Sequence, residues 1–374
     1  MQKKIAVLPG DGVGPEITMV AVDILKKIAE KFGHEFTFTE GLIGAAAIDA
    51  VGEALPQKTT DLCLSSDAVL FGAIGDPKYD NDPSAKVRPE QGILGLRKSL
   101  GLYANVRPIF TFEDFISKSP LKPEIIKGVD FIVIRELIGG IYFGKKGRNA
   151  AGTAAFDTNE YTKEEIERVA RYAFELARSR HSGKRSASRI DSGVVVPPPQ
   201  NDGKGKLTVV DKANVLETSR LWRETVREME KDYPEVTVEY MFVDNAAMQL
   251  IKRPSEFDVV VTENMFGDIL TDEASVITGS IGMLPSASIG EKTAVYEPIH
   301  GSFPRAAGQN IANPIGSILS AAMLLEYSFG MQEEATAISD AVKKALAAGL
   351  GTKDIVGENP LGTKEFGEEV SNRI

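Results

Sequence analysis

The stretch Phe257-Asp-Val-Val-Val-Thr-Glu-Asn-Met-Phe-Gly-Asp-Ile-Leu-Thr-Asp-Glu-Ala-Ser275 changes its periodicity midway. Residues 257–261 form a short apolar run of the kind that makes a buried strand, and the pattern that follows is a helix carrying Asp268 and Asp272. Four residues apart on a helix, two carboxylates share one face with Cβ atoms about 5–6 Å apart, and they repel unless a cation lies between them. Hard oxygen ligands on a rigid helix suit Mg²⁺ or Mn²⁺, which take one or two protein carboxylates and fill their other positions with water and substrate oxygens. The competing reading is a solvated acidic face, which does little.

Upstream the same alternation recurs. Residues 5–8 read as a strand entering the glycine loop Gly10-Asp-Gly-Val-Gly14, and a helix begins at Pro15 with Ile17, Val20, Ile24 and Ile28 on one face. Phe36 and Phe38 mark a second strand, residues 43–51 a short helix, and residues 68–71 a third strand, so the layers are α/β. The glycine loop is neither a dinucleotide fingerprint nor a P-loop, which leaves a tight turn or a loop beside a cofactor.

Residues 75–89 are a polar, proline-bearing loop that can serve as a lid. The helix from residue 90 to 101 then presents Glu90, Ile93, Leu94 and Arg97 on one stripe, either half of an amphiphilic pocket or an ordinary amphipathic surface. Arg107, before a proline, sits in an extended segment. Arg135 comes where the apolar run 131–134 stops, at a strand end, the place where open α/β sheets bind ligands. Three arginines on three elements can clamp a dicarboxylate. Tyr142, in the glycine-bracketed turn 139–144, can transfer a proton. Beyond it, small and polar residues to 157 read as a β-hairpin arm, and Thr162 with Glu165 forms a capping box for a helix reaching 180. Residues 182–205, rich in Ser, Gly, Pro and basic side chains, read as a solvated, mobile insertion. Lys212 follows a strand and is a candidate base, while Asp244 follows another. His300 lies in a loop rich in glycine and proline.

At 374 residues the chain exceeds one ordinary core, so two domains are expected. A net charge of −10 argues against nucleic acid or an anionic membrane as partner. No window approaches the ~18 apolar residues of a membrane span, and the N-terminal apolar run is too short for a signal peptide. A lone Cys63 between two leucines forms no internal disulfide, reads as a buried thiol, and fits a reducing cytoplasm.

The sequence resembles the metal-dependent β-decarboxylating dehydrogenases, the family that holds isopropylmalate, isocitrate, homoisocitrate and tartrate dehydrogenases. The resemblance covers nearly the whole chain outside residues 182–205. It rests on Leu8-Pro-Gly-Asp-Gly-Val-Gly-Pro-Glu16, the Arg97/Arg107/Arg135 trio, Gly140-Ile-Tyr-Phe-Gly144, Asp211-Lys-Ala-Asn-Val215, Asn264-Met-Phe-Gly-Asp-Ile-Leu-Thr-Asp-Glu-Ala274 and Glu297-Pro-Ile-His-Gly-Ser302. It implies a three-layer, non-Rossmann α/β fold of two domains. Residues 1–102 with 279–374 form the cofactor side, and residues 103–278 form the dimerisation and metal/substrate domain, with its arm at 139–157.

The resemblance further implies a homodimer with shared active sites, in which Lys212 and Asp244 come from the second subunit. Asp244, Asp268 and Asp272 then hold Mg²⁺ or Mn²⁺, the three arginines hold substrate carboxylates, and Lys212 and Tyr142 move protons. Glu90, Ile93 and Leu94 meet the γ-group, and isopropylmalate is accepted where a third carboxylate would be buried unpaired. Glu90, Glu297, His300, Gly301, Arg305 and Asn313 fall on the cofactor side. NAD is the family habit, yet NAD-using members carry an aspartate where Arg305 stands, so NADP is the alternative, as are other 3-alkylmalates, homoisocitrate or tartrate as substrates. From other classes, a metal-dependent phosphohydrolase has no need of three arginines with Lys212 and Tyr142, and a non-catalytic scaffold has no need of the full set.

Overall fold

In the computed structural model, which describes residues 1–82, 84–180, 188–189, 195–196 and 205–374, the alternation resolves into one mixed ten-stranded sheet. Its strands are β1 (Gln2–Gly10), β2 (Glu35–Glu40), β3 (Ala68–Ala73), β4 (Leu102–Phe110) and β5 (Asp130–Glu136). Outside it, β6 (Lys146–Arg148) pairs with β7 (Ala155–Asp157), and β8 (Ser188–Arg189) with β9 (Val195–Val196). The sheet is completed by β10 (Gly205–Asp211), β11 (Val236–Phe242), β12 (Val259–Thr262), β13 (Pro285–Gly290) and β14 (Ala294–Pro298). Their spatial order is β11-β10-β12-β5-β4-β13-β14-β3-β1-β2.

Two parallel blocks, β11-β10-β12-β5 and β14-β3-β1-β2, run in opposite senses and join through β4 and β13, whose pairings are all antiparallel. The register across this seam places the site. Tyr296 pairs with Ala287, Ala287 with Val106 and Val106 with Ile134. Side chains alternate faces along a strand, so Glu297, Arg107 and Arg135, each one step from that row, all project to the same side. Sheets that bury both faces need continuous apolar strands, and β3 is buried at every position.

Helices cover both faces. Gly14–Phe32 carries proline in its first turn, buries Ile17, Ile24 and Ile28, and stops at Gly33, which is left-handed with φ +70°. Lys163–Arg180 starts on the expected capping box, with the Thr162 N–H donating to Glu165 Oε2 at 2.8 Å and the Glu165 N–H donating to Thr162 Oγ1 at 3.3 Å. Cys63 is fully buried, and burial pushes its thiol up to about 12.

Several elements differ from the sequence reading. Residues 75–89 contain a one-turn helix, Pro77–Asp80, capped by Asp76 and tied to the neighbouring helix Ala45–Val51 by a 2.7 Å bond from the Tyr79 hydroxyl to Asp49. The apolar stretch 314–329 is α-helical at Ile315–Met323 and continues as a π-helical turn, Leu324–Ser328. The β13–β14 hairpin and the final helix Thr363–Ser371 had no counterpart in the periodicity reading. Apart from β8, β9 and Gly205, the insertion at 182–205 lies outside the described residues.

Candidate active site

The face of the seam opens into a cleft of ~380 Å³. Glu90, Ile93, Leu94 and Arg97 enter it from one helix, Glu90–Leu100, as their common stripe requires. Arg107 and Arg135 rise from β4 and β5, Tyr142 from the turn after β5, Asp268 from the helix Asn264–Thr278, and Glu297, His300 and Gly301 from the end of β14 and the loop beyond.

The three guanidiniums differ in how they are held. Arg135 is buried and donates through Nε and Nη2 to Asn264 Oδ1 at 3.1 and 2.9 Å, while its Nη1 donates to Asp268 Oδ1. Arg107 donates from Nε to Asn105 at 2.6 Å and from Nη1 to the Thr271 hydroxyl, and stands 3.8 Å from Asp268 and 3.6 Å from Asp272. Burial, followed by the neighbouring Arg135 charge, pulls the Arg107 pKa down to about 10, which still leaves it cationic at neutral pH. Arg97 is the least satisfied. It is buried, its nearest carboxylate is Glu297 at 3.9 Å, and its Nε has no hydrogen-bond partner. A buried cation in that state is a place for an anion.

The Tyr142 hydroxyl donates to Asp268 Oδ2 at 2.8 Å. Burial and that bond raise its pKa to about 12, so the phenol keeps its proton at neutral pH. Asp272, one turn on, is more exposed; burial holds its carboxyl above the usual range, Arg107 opposes the rise, and the Asp268 charge adds to it. Burial also raises Glu297, although all three arginines oppose it, and lowers His300, whose Nδ1 contacts the Gly301 carbonyl at 2.9 Å and whose Nε2 is buried without a partner.

Lys212 and Asp244 are not in this cleft. They pair with each other at 2.7 Å on a partly exposed surface, at the end of β10 and in the first turn of the helix Val243–Lys252. Among the described residues no three potential ligands gather to hold a metal within one chain. Arg305 is exposed in the turn Pro304–Ala306, and Asn313 is buried, donating to Asp354 at 2.9 Å while its Oδ1 accepts from the Ile315 N–H at 3.0 Å.

Three structural supports had no role assigned from sequence. Asn264 links Arg135 to the tyrosine turn by donating to the Gly139 carbonyl at 3.1 Å. Asp11 accepts from the backbone N–H groups of Ala45, Ala46 and Gly75, each at 2.9 Å, so the glycine loop ties three segments together. Gly12 is required there, because its φ is +61° and a Cβ would lie 1.9 Å from the Ser302 carbonyl oxygen. Glu136 anchors the turn that bears Tyr142. The available signal was position: each is a polar residue beside a glycine turn or at a strand-to-helix junction.

A small cleft with an unanswered guanidinium in its wall suits a small anion. The pattern of the isocitrate/isopropylmalate dehydrogenase family matches residues 4–192 and 198–370. The chain is 54% identical over 376 residues to 3-isopropylmalate dehydrogenase of Moorella thermoacetica, covering 99% of each chain. It is 53% identical to that of Bacteroides fragilis, covering 100% of this chain and 99% of the relative. Its structure is similar to isocitrate dehydrogenase from Methylococcus capsulatus, with a TM-score of 0.84, 32% identity and 99% of each chain covered. The chain belongs to the isocitrate/isopropylmalate dehydrogenase family.

Proposed function

We propose that the protein oxidises and decarboxylates (2R,3S)-3-isopropylmalate to 4-methyl-2-oxopentanoate with NAD, a step of leucine biosynthesis in the cytoplasm. The observation that carries this reading is the shared wall of one cleft, in which Ile93 and Leu94 offer apolar surface beside Arg97, Arg107 and Arg135. The aliphatics bury an isopropyl group, and the arginines bind the two malate carboxylates. A third carboxylate, as in isocitrate, would meet the aliphatics without a partner at a cost of several kcal/mol.

The residues present fit a divalent cation. Asp268 and Asp272 supply hard oxygen donors one helical turn apart, and burial together with their mutual repulsion keeps Asp272 above its usual range until a positive charge relieves it. They also fit a nicotinamide cofactor, for which Glu90, Glu297, Gly301 and the unpartnered His300 Nε2 line the cleft, with Asn313 and Arg305 outside it. When bound, the cation acidifies the substrate hydroxyl and stabilises the enolate left by CO₂ loss, and the nicotinamide takes the hydride.

The chain's own side chains do the rest. The arginines orient the substrate, Lys212 accepts the hydroxyl proton, and Tyr142, still protonated at neutral pH, gives a proton to the enolate carbon. Lys212 and Asp244 reach the cleft from a second copy of the chain. Their 2.7 Å pair outside their own cleft supports this, as do the exposed Val215 and Met248, close to them in sequence. The working unit is therefore a homodimer in a three-layer, non-Rossmann fold, with residues 1–102 and 279–374 as one domain, 103–278 as the other, and the arm at 139–157 pairing between subunits. Among the described residues no helix is long and apolar enough to cross a membrane.

The test is NADH formation from 3-isopropylmalate with Mn²⁺, with and without chelator. Turnover that depends on the metal supports the reading. Turnover of isocitrate at a comparable rate, or full activity with chelator present, refutes it. For the cofactor, kcat/KM favours NAD; a preference for NADP above tenfold reverses that assignment and makes Arg305 its cause.

A further inference from the structure

Glu136 is fully buried at the end of β5, and its carboxylate meets backbone alone. Oε1 accepts from the N–H groups of Ile138 and Gly139 at 2.8 and 3.1 Å, and Oε2 accepts from Gly139 at 2.9 Å. A carboxylate buried without a cation is costly, and here burial pushes its pKa up to about 7. An aliphatic residue would serve the core better, so the cost needs a compensating role.

The groups around the turn identify that role. Gly139 accepts from Asn264 at 3.1 Å and Gly140 donates to the Glu160 carbonyl at 3.0 Å. The ring of Tyr161 closes the far side, since a Cβ at Gly139 would lie 2.5 Å from its Cε1 and one at Gly140 would lie 2.2 Å from its hydroxyl. The backbone between β5 and Tyr142 is thus fixed from every side, and the side chain that ties it to the strand is Glu136.

We propose that Glu136 is a positioning residue for Tyr142, its carboxylate clamping the Ile138–Gly139 backbone so that the tyrosine hydroxyl stays within reach of Asp268 and the reacting carbon. This deepens the proton-donor role given to Tyr142 under Proposed function and rests on that reading for its catalytic consequence. The positional claim stands on geometry alone.

Two readouts test it. In a crystal structure of Glu136→Ala, the 2.8 Å contact from the Tyr142 hydroxyl to Asp268 is expected to be lost, and in Glu136→Gln, which keeps one accepting oxygen, it is expected to persist. In steady-state kinetics Glu136→Ala lowers kcat at least about tenfold with KM for 3-isopropylmalate within about threefold, because misplacement by an ångström is enough to slow chemistry. Glu136→Gln recovers most of that loss. In a Tyr142→Phe background, Glu136→Ala costs less than about twofold more, as expected when one residue acts through the other.

If Glu136→Ala does not fold, Glu136→Asp, which withdraws the carboxylate by one methylene, takes its place with the same outcomes. An unmoved tyrosine contact, or an equal loss with and without the tyrosine hydroxyl, overturns the proposal. Full turnover by Tyr142→Phe alone refutes the proton-donor reading instead, and the crystallographic contact still decides the positional claim.

Discussion

Replacing Asp268 by asparagine separates the charge of this side chain from its place in the fold. Asp268 accepts from Arg135 and from the Tyr142 hydroxyl, and Arg107 lies 3.8 Å away. Breaking a fully buried ion pair costs about 3–5 kcal/mol. Here Arg135 is 2% exposed but Asp268 is 36% exposed, so solvent screens the loss, and Asn264 continues to hold Nε and Nη2. About 1–2 kcal/mol is the reasonable cost. A chain of 374 residues gains on the order of 0.8 kcal/mol/K of entropy on unfolding, so the melting temperature falls by about 1–3 °C. The catalytic cost is expected to be far larger, because the substitution removes a proposed cation ligand and the negative charge that faces the tyrosine. A loss of about 10³ in kcat corresponds to roughly 4 kcal/mol of barrier. NADH absorbance and differential scanning calorimetry on the same preparation measure both. Turnover within tenfold of the parent refutes the assignment, and so does a melting temperature so depressed that lost activity tracks the unfolded fraction.

Leu94→Ala is expected to lower kcat/KM for 3-isopropylmalate about 10- to 100-fold while hardly changing it for malate, which lacks the alkyl group; equal losses on both substrates refute the contact. Thr162→Ala breaks the capping box, costs about 1 kcal/mol and leaves kcat unchanged, read by melting temperature and turnover. Burial raises the Glu326 carboxyl from 4.5 to about 7, so between those values the folded state holds more protons than the unfolded one, and stability from this group falls as pH rises through that window. Glu326→Gln removes the titration, and its melting temperature relative to the parent should rise by about 2–4 °C between pH ~5 and pH ~8; a constant difference refutes the shift. Calorimetric titration should show 3-isopropylmalate binding at least about tenfold more tightly with Mn²⁺ present, and by linkage Mn²⁺ binding more tightly by the same factor with substrate present; independent affinities refute a shared site.

Most regular elements were legible because burial imposes a period. Ile17, Ile24 and Ile28 recur at helical spacing because one face of that helix meets the sheet, and Phe36 and Phe38 alternate because β2 is an edge strand with only one face covered. β13 was illegible for the converse reason. Pro285-Ser-Ala-Ser-Ile-Gly290 is buried at every position, with small and hydroxylated residues where a strand is normally apolar, so neither alternation nor an apolar run survives. Its serines are tolerated because neighbours meet them: Asn105 donates to the Ser288 hydroxyl at 3.2 Å, and the Ser286 hydroxyl donates to the Glu297 carbonyl at 3.0 Å. The site residues were named from their chemistry and from resemblance, whereas Asn264, Asp11 and Glu136 support them through backbone geometry that no spacing rule reports.

The seam explains why this chemistry sits where it does. In a sheet of one sense, the carboxyl ends of all strands share one edge and the ligand lies beyond it. Here the two blocks point oppositely, so their carboxyl ends lie at opposite edges, and the site forms instead on a face over β4 and β13, where the register sets Glu297 from one block and Arg135 from the other on the same face as Arg107. Charges drawn from both blocks therefore meet over a short stretch of sheet. Where the three guanidiniums meet Asp268, Asp272 and Glu297, the formal charges cancel before anything binds. A dicarboxylate alone would tip it negative and a divalent cation alone positive, and in a buried cleft either imbalance is expensive. Together they restore the balance, which is why the proposed cation and the acid it helps to oxidise belong to one site rather than two.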